Sequence, residues 1–175
     1  SPHLGHRNGV RMEEICIIGA GPAGLMAAIH AAQNHAKVLV LETHTTAGRK
    51  LLLTGGGRCN FTHASDPEEI AKAFGRPGRF LRHGLYEFPP EKVREFFQWR
   101  QLPSSVEADG CVFPITDQAS DVRNILVAEA IKLGARIRYQ SRVENVVAMQ
   151  NGFAIRTENG QISASRVILA TGGLF

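Results

Sequence analysis

The residues best suited to chemistry stand near the start of the chain. Gly19-Ala20-Gly21-Pro22-Ala23-Gly24 has the spacing G-x-G-x-x-G. In a turn from a strand into a helix each glycine has its own task. Gly19 permits the tight turn, Gly21 lets backbone approach a pyrophosphate without a Cβ in the way, and Gly24 allows the helix to pack closely on the strand. A pyrophosphate there faces free N–H groups and the positive end of the helix dipole. Glu42 follows 18 residues after Gly24, where a carboxylate accepts ribose hydroxyls. The same carboxylate would repel a 2′-phosphate, so NADP is disfavoured. NAD and FAD share an ADP half, and the turn does not separate them. A glycine-rich turn also occurs in α/β domains without any ligand. What points to a dinucleotide is the complete order of strand, turn, helix, strand and acid.

A second group of candidates follows closely. Gly48-Arg49-Lys50 and Gly55-Gly56-Gly57-Arg58-Cys59-Asn60 combine cations with bare backbone. Adjacent cations can screen a pyrophosphate, and three glycines let backbone approach a flat ring. On its own such a charge pair is usually only a solvated loop; beside a dinucleotide turn, cofactor contact is favoured. The sequence holds no Ser-His-Asp spacing, HExxH or P-loop. The three cysteines, Cys16, Cys59 and Cys111, lie far apart without CxxC spacing, so neither a disulfide framework nor a metal site is expected. That pattern fits a reducing cytoplasm.

Elements must position these residues. Glu14–Ile18 is rich in β-branched residues and reads as a strand buried on both faces. Pro22 to about Asn34 reads as a helix with Leu25, Ala28, Ile29 and Ala32 on its apolar face. Lys37–Glu42 is a second buried strand, which completes a βαβ unit and implies a parallel sheet. After the Gly-rich connector, helices are expected near 66–74, 77–86 and 90–101. The last of these has Val93, Phe96 and Phe97 as its apolar face, and Trp99 is placed in the same packing core. Short strands follow near 104–107 and 111–113. Ser120 is expected to cap a helix running to Leu133, closed by Gly134. Ala135–Gln140 and Val143–Met149 read as strands. Asn151-Gly152 and Asn159-Gly160 are hairpin signals, so Phe153–Glu158 sits in a three-stranded meander. Arg166–Ala170 returns as a buried strand ending in Thr171-Gly172-Gly173. Arg136, Arg138 and Arg142 are expected on a solvated face.

Composition sets the bounds. The chain has 175 residues, 43% of them hydrophobic, with 20 Lys plus Arg against 16 Asp plus Glu. One domain with a sizeable core is the prior at this length. Residues 1–87 carry 10 bases and 7 acids, and residues 88–175 carry 10 and 9. No basic arm stands out, so no nucleic-acid partner is expected. The longest uncharged apolar stretch, Ile15 to Ile29, is glycine-interrupted and too short to span a bilayer. Residues 1–11 lack periodicity and are expected to be a non-native or disordered lead, with Met12 the natural start.

Gly19–Gly24, Gly48-Arg49-Lys50, Thr54–Asn60, Val112-Phe113-Pro114 and Ala170–Gly173 together resemble bacterial FAD-dependent flavoproteins of the aminoacetone-oxidase-like or bile-acid-reductase-like kind. The resemblance runs from Met12 to Phe175, and the GGGRCN segment is its most specific part. It implies an α/β, Rossmann-like, glutathione-reductase-like FAD-binding domain with a parallel sheet and a β-meander. By that resemblance Ala20, Gly21 and Glu42 belong to the ADP side. Arg49 and Lys50 lie near the pyrophosphate, and Gly56, Gly57, Arg58, Cys59 and Asn60 lie toward the flavin. Val143 offers its backbone to the adenine edge, and Ala170, Thr171 and Gly172 pass beneath the cofactor. Cys111 departs from the family, which commonly has Arg before Val-Phe-Pro, so an anionic contact is not carried over to that position. Cys59 has no second cysteine nearby, so it is read as a packing or flavin-contacting thiol and not as half of a redox dithiol. His63 is the one histidine weighed near a flavin, against the commoner role of a satisfied or surface histidine.

The resulting expectation is the FAD-binding portion of a flavin-dependent oxidoreductase, spanning 12–175 with a helical insertion at about 64–103. The substrate domain and the C-terminal FAD segment are expected to be absent. A small-molecule substrate is expected, with NAD(P)H as electron donor or oxygen as acceptor, and no membrane span. No residue is assigned as catalytic acid or base. The alternatives are a non-catalytic nucleotide-binding remnant and a NAD-dependent dehydrogenase domain. Weak FAD retention is expected of the 175-residue chain.

Overall fold

The structure, a computed structural model, describes residues 13–173. The expected lead at 1–11 lies outside the described residues. The described residues divide into two compact units, one formed by 13–47 with 126–173 and the other by 48–125. The second unit is wider than the helical stretch at 64–103, because it also takes in most of the Gly-rich connector and three short strands.

The first unit is a six-stranded sheet. Its strands are β1 (Glu13–Ile18), β2 (Val38–Leu41), β6 (Arg136–Arg138), β7 (Val143–Met149), β8 (Gly152–Thr157) and β9 (Gly160–Leu169). Their order is β6-β2-β1-β9-β8-β7. Strands β6, β2, β1 and β9 pair in parallel, whereas β9, β8 and β7 form the antiparallel meander. Helix α1 (Pro22–Gln33) is the crossover between β1 and β2. It buries Leu25, Ala28, Ile29 and Ala32, the face read from the sequence, together with Gly24. Alternation along β1 and β2 sends Cys16, Ile18, Leu39 and Leu41 to one face, where Ile155, Ile162 and Ala164 of the meander join them. Ile17, Val38 and Val40 take the other face and are equally buried.

Strand β9 corrects one expectation. The sequence reads as a hairpin return and then a buried strand over Arg166–Ala170, whereas Arg166, Ile168 and Leu169 are exposed. The structure has one continuous strand. Ala164 pairs with Phe153 on one side and with Glu13 on the other. A central position supplies partners on both edges, which outweighs weak local propensity. Gly152 makes the approach possible: with φ at +122°, a Cβ there would come within 2.4 Å of the Ala164 carbonyl oxygen.

Arg136, Arg138 and Arg142 are exposed as expected. Arg136 is not merely solvated, since it pairs with the buried Glu13 carboxylate at the start of β1.

The second unit is built on a three-stranded antiparallel sheet, β3 (Thr62–His63), β5 (Cys111–Pro114) and β4 (Ser104–Val106), in the order β3-β5-β4. Helices α2 (Pro67–Ala73), α3 (Gly78–Glu87) and α4 (Pro90–Gln98) lie between β3 and β4 in the chain. Asp66 caps α2 by accepting the Glu69 N–H at 2.8 Å, which explains the acidic start without a catalytic role. The two-residue strand β3 and a 3-10 segment at Leu51–Gly57 were not visible in the sequence pattern.

Two expectations fail here. Trp99 is not core: α4 ends at Gln98, and Trp99 is 83% exposed as its C-cap. Phe97 instead is buried, its ring 4.9 Å from that of Phe61, and Trp99 two residues on faces away from that contact. Helix α5 (Ala119–Lys132) begins one residue before Ser120, so Ser120 lies in its first turn and is not the cap. Gly134 does close α5, with φ at +97°. Among the described residues, no helix is long and apolar enough to cross a membrane.

Candidate functional site

In the first unit, parallel strands β2, β1 and β9 end side by side, and the chain bends away from each at a candidate residue. Gly19 leaves β1 by donating its N–H to the Leu41 carbonyl at 2.8 Å, and Ala170 leaves β9 by donating to the Ile18 carbonyl at 2.8 Å. Ligands in open parallel sheets bind outside such carboxyl ends.

Steric requirements in the turn follow the glycine spacing. Gly19 has φ at +106°, and a Cβ would come within 2.4 Å of the Ala170 carbonyl oxygen. A Cβ on Gly24 would sit 1.9 Å from the Gly19 carbonyl oxygen. Gly21 differs from both. It caps α1 with ordinary extended backbone (φ −74°, ψ 177°), and a Cβ there would meet nothing within 4 Å. Nothing internal requires glycine at 21. Pro22 occupies the first turn, Ala23 is exposed, and the first turn of α1 carries no acidic residue. No acidic side chain of the helix's own first turn occupies its N-terminus, and the residues present fit a pyrophosphate.

Glu42 lies just past β2 and is buried. Its Oε2 accepts the Ala20 N–H and its Oε1 accepts the His44 N–H, both at 2.9 Å. Each carboxylate oxygen keeps a further lone pair for a hydroxyl. The backbone of His44 was missed by the sequence reading; an amide two residues past the acid carries no sequence signal. Thr171 and Gly172 continue from Ala170 as exposed backbone, with Gly172 at φ +73°. Val143 opens β7 two residues after Ser141, whose N–H donates to the Glu42 carbonyl at 2.8 Å. The Val143 side chain packs on the sheet core.

The second unit holds the other candidates. Arg49 and Lys50 are exposed ahead of the 3-10 segment. Gly55, Gly56 and Gly57 are all left-handed, at φ +57°, +66° and +90°, and the non-glycine Cys59 follows at +65°. Arg58 is partly exposed, and its guanidinium has partners within the unit. Its Nη1 donates to Glu107 Oε1 at 2.6 Å, Asp117 Oδ1 lies 3.7 Å away, and its guanidinium stands 3.9 Å from the centre of the Phe113 ring. The Glu107 carboxylate raises the Arg58 pKa above its usual value. Asn60 Oδ1 accepts the Val112 N–H at 3.2 Å.

Burial pushes the Cys59 thiol up, with a hydrogen bond to Thr54 acting in the opposite direction. Cys16 is pushed up to about 11, chiefly by burial and then by Glu13. Neither is poised as a nucleophile. His63 is satisfied internally: Nε2–H donates to the Asp109 carbonyl at 2.9 Å, and Nδ1 then accepts the Ser65 hydroxyl at 2.8 Å. Among the described residues, no group of three or more His, Cys, Asp or Glu is placed to hold a metal ion.

Comparison with known proteins adds an independent line. The sequence profile described as "HI0933-like protein Rossmann domain" matches residues 13–175. The chain is 36% identical over 164 residues to a 3-dehydro-bile acid delta(4,6)-reductase from Clostridium scindens, covering 93% of this chain and 39% of the relative. It is 30% identical over 166 residues to a ribosomal RNA dihydrouridine synthase from Escherichia coli, covering 90% and 39%. The chain thus spans about two-fifths of the length of these relatives. Among solved structures, the 3-ketosteroid-delta4-(5alpha)-dehydrogenase of Rhodococcus jostii aligns with a TM-score of 0.71 at 20% identity, covering 96% of this chain and 47% of that one. Lactococcus lactis thioredoxin reductase aligns at 0.54 and 18% identity, covering 93% and 36%. Those two likenesses bear on the fold. The Rossmann-like architecture and FAD, both expected from the sequence, agree with these matches.

Proposed function

The chain belongs to the HI0933-like Rossmann-domain family, and from that premise we propose that it is the FAD-binding portion of an enzyme that reduces a carbon–carbon double bond conjugated to a carbonyl. One observation carries the binding part. Gly21 with its unfilled Cβ space, the first turn of α1 without an acidic side chain and the buried Glu42 carboxylate converge at the ends of β1 and β2. The α1 end takes the pyrophosphate, Glu42 takes the adenosine ribose, and Ala170–Gly172 run beneath the cofactor. Gly56, Gly57, Cys59 and Asn60 of the second unit serve the flavin side. Bound FAD supplies hydride chemistry, and the protein supplies position and electrostatics.

The reaction class draws on the two curated relatives. One is named for reducing an unsaturated 3-dehydro-bile acid, the other for making dihydrouridine. A double bond next to a carbonyl is the chemistry that an unsaturated ketone and a uracil ring share. NAD(P)H as donor and a cytoplasmic site complete the proposal; the dispersed, unpaired cysteines support the latter.

The favoured substrate is a small unsaturated ketone, as for the relative of higher identity. A second reading, RNA as substrate, has an observation of its own. Lys72, Arg79 and Arg82 line one groove between α2 and α3, where Arg82 pairs with Glu68, and Phe80 of α3 is 89% exposed. Cations interleaved with an exposed aromatic suit phosphates and bases, although the sequence-wide charge balance argued against a nucleic-acid partner.

Titration of the 175-residue chain with FAD, NAD and NADP tests the cofactor. Saturable FAD binding that is lost in Glu42→Ala is expected, with NADP failing to compete. NAD binding without FAD uptake would return the chain to the dehydrogenase class. A longer protein of the relatives' length, given NADPH and either an unsaturated ketosteroid or unmodified ribosomal RNA, decides the substrate. Turnover of neither sinks the proposed reaction and leaves a nucleotide-binding remnant.

A further inference from the structure

The geometry points to Arg58 as a positioning residue that clamps the glycine loop Gly55–Asn60 onto strand β5, and not as a cation for the cofactor's phosphates. The clamp stands without any cofactor; only its consequence for binding rests on the FAD reading above.

Three contacts anchor the loop at neighbouring residues of β5. The Arg58 guanidinium stands 3.9 Å from the centre of the Phe113 ring. Gly55 packs so closely on the same ring that a Cβ would come within 2.8 Å of Phe113 Cε1. Asn60 accepts the Val112 N–H at 3.2 Å. Glu107 fixes the other end of the guanidinium at 2.6 Å, with Asp117 at 3.7 Å. Between these anchors four of five residues have positive φ: Gly55, Gly56, Gly57 and Cys59. A run of left-handed backbone that includes a non-glycine residue persists only where its surroundings impose it.

Charge accounts for the second half of the inference. Glu107 pairs with Nη1 of the guanidinium and Asp117 stands 3.7 Å from the same atom, so the charge of Arg58 is already partly neutralised. A cofactor phosphate would compete with Glu107 for that charge. A planar guanidinium that stacks and pairs at once also explains why arginine stands here; lysine has the charge but not the plane.

The test uses the full 175-residue chain with Arg58→Gln, Arg58→Lys, Glu107→Gln and the double variant Arg58→Gln/Glu107→Gln. The first readout is amide hydrogen exchange at residues 54–60 without FAD. Exchange is expected to quicken about tenfold or more in every variant, lysine included, while the amides of β1 stay protected as the control for folding. The second readout is FAD affinity by flavin fluorescence. Both Arg58→Gln and Glu107→Gln should weaken it, and the double variant should be no worse than the worse single one. A phosphate-binding arginine gives the opposite sign at Glu107: removing its competitor would tighten FAD. Tighter binding in Glu107→Gln, or loop exchange unchanged in Arg58→Gln, would overturn the clamp. If the unsubstituted chain takes up no FAD, the cofactor reading fails, and the exchange data alone decide the clamp.

Discussion

The molecule holds two glycine-rich segments, and they use glycine for different reasons. In the turn at 19–24, two glycines meet backbone. A Cβ on Gly19 or Gly24 would strike a carbonyl oxygen, while Gly21 has ordinary backbone and faces open space. In the segment at 55–57 every glycine is left-handed, and only Gly55 is crowded. Gly24 needs glycine for proximity alone, and Gly56 and Gly57 need it for backbone conformation alone, while Gly19 and Gly55 need it for both. The same contrast separates their supports. The first is held by the ends of adjacent parallel strands, whereas the second is held by side chains, with Arg58 reaching Glu107 across 49 positions of sequence.

The largest expected effect tests the proximity half. In Gly24→Ala the new Cβ would lie 1.9 Å from the Gly19 carbonyl oxygen, with the Ala170 Cβ at 3.3 Å. Neither a backbone carbonyl nor a neighbouring strand end yields as a flexible side chain does. A loss of more than about 3 kcal/mol is expected, a large part of the stability of a domain. Denaturant unfolding of the variant would show it. A midpoint close to that of the unsubstituted chain would mean that α1 can lift from β1 at little cost, and the contrast between the segments would fail.

A pair of substitutions tests the conformational half. Gly56→Ala meets no neighbour but carries φ at +66°, so about 1 kcal/mol is expected, the cost of a left-handed L-residue. Gly55→Ala has the same backbone problem at +57° and adds Phe113 Cε1 at 2.8 Å and the Asn60 nitrogen at 2.9 Å. About 2–3 kcal/mol is expected there. Equal losses at the two sites would show that conformation alone governs the segment and that the contact with Phe113 contributes nothing.

This contrast also explains what was legible in the sequence. The turn at 19–24 obeys a local rule, since strand, glycine spacing, helix and acid lie within 30 residues. The apolar face of α1 and the meander turns at Gly152 and Gly160 are local in the same sense. The resemblance places Arg58 toward the flavin, and no sequence pattern shows what holds its guanidinium. Glu107, Phe113 and Asp117 follow it only after β3, three helices and β4. Strand β9 shows the same limit, since Ser163-Ala164-Ser165 is weak locally and is held by partners on both sides. Trp99 failed for a subtler reason. Helical periodicity placed it near Phe96 and Phe97, but the helix ends one residue before it.

The smallest effect on stability is the sharpest test of function. Gly21→Ala adds a methyl group where nothing lies within 4 Å, at φ −74°, a conformation that alanine adopts freely. Stability should change by less than about 0.5 kcal/mol. If Gly21 is bare because a pyrophosphate passes over it, the same methyl group occupies the ligand's space, and FAD affinity should fall about tenfold or more, roughly 1.4 kcal/mol. A glycine kept for folding shows the reverse pattern, with stability lost and affinity kept. Unchanged stability together with unchanged FAD affinity would move the pyrophosphate away from the α1 N-terminus and leave Glu42 as the anchor of the site. Because the variant is expected to fold as well as the parent, loss of binding at this position reads the ligand contact directly, which no substitution at Gly19, Gly24 or Gly55 can do.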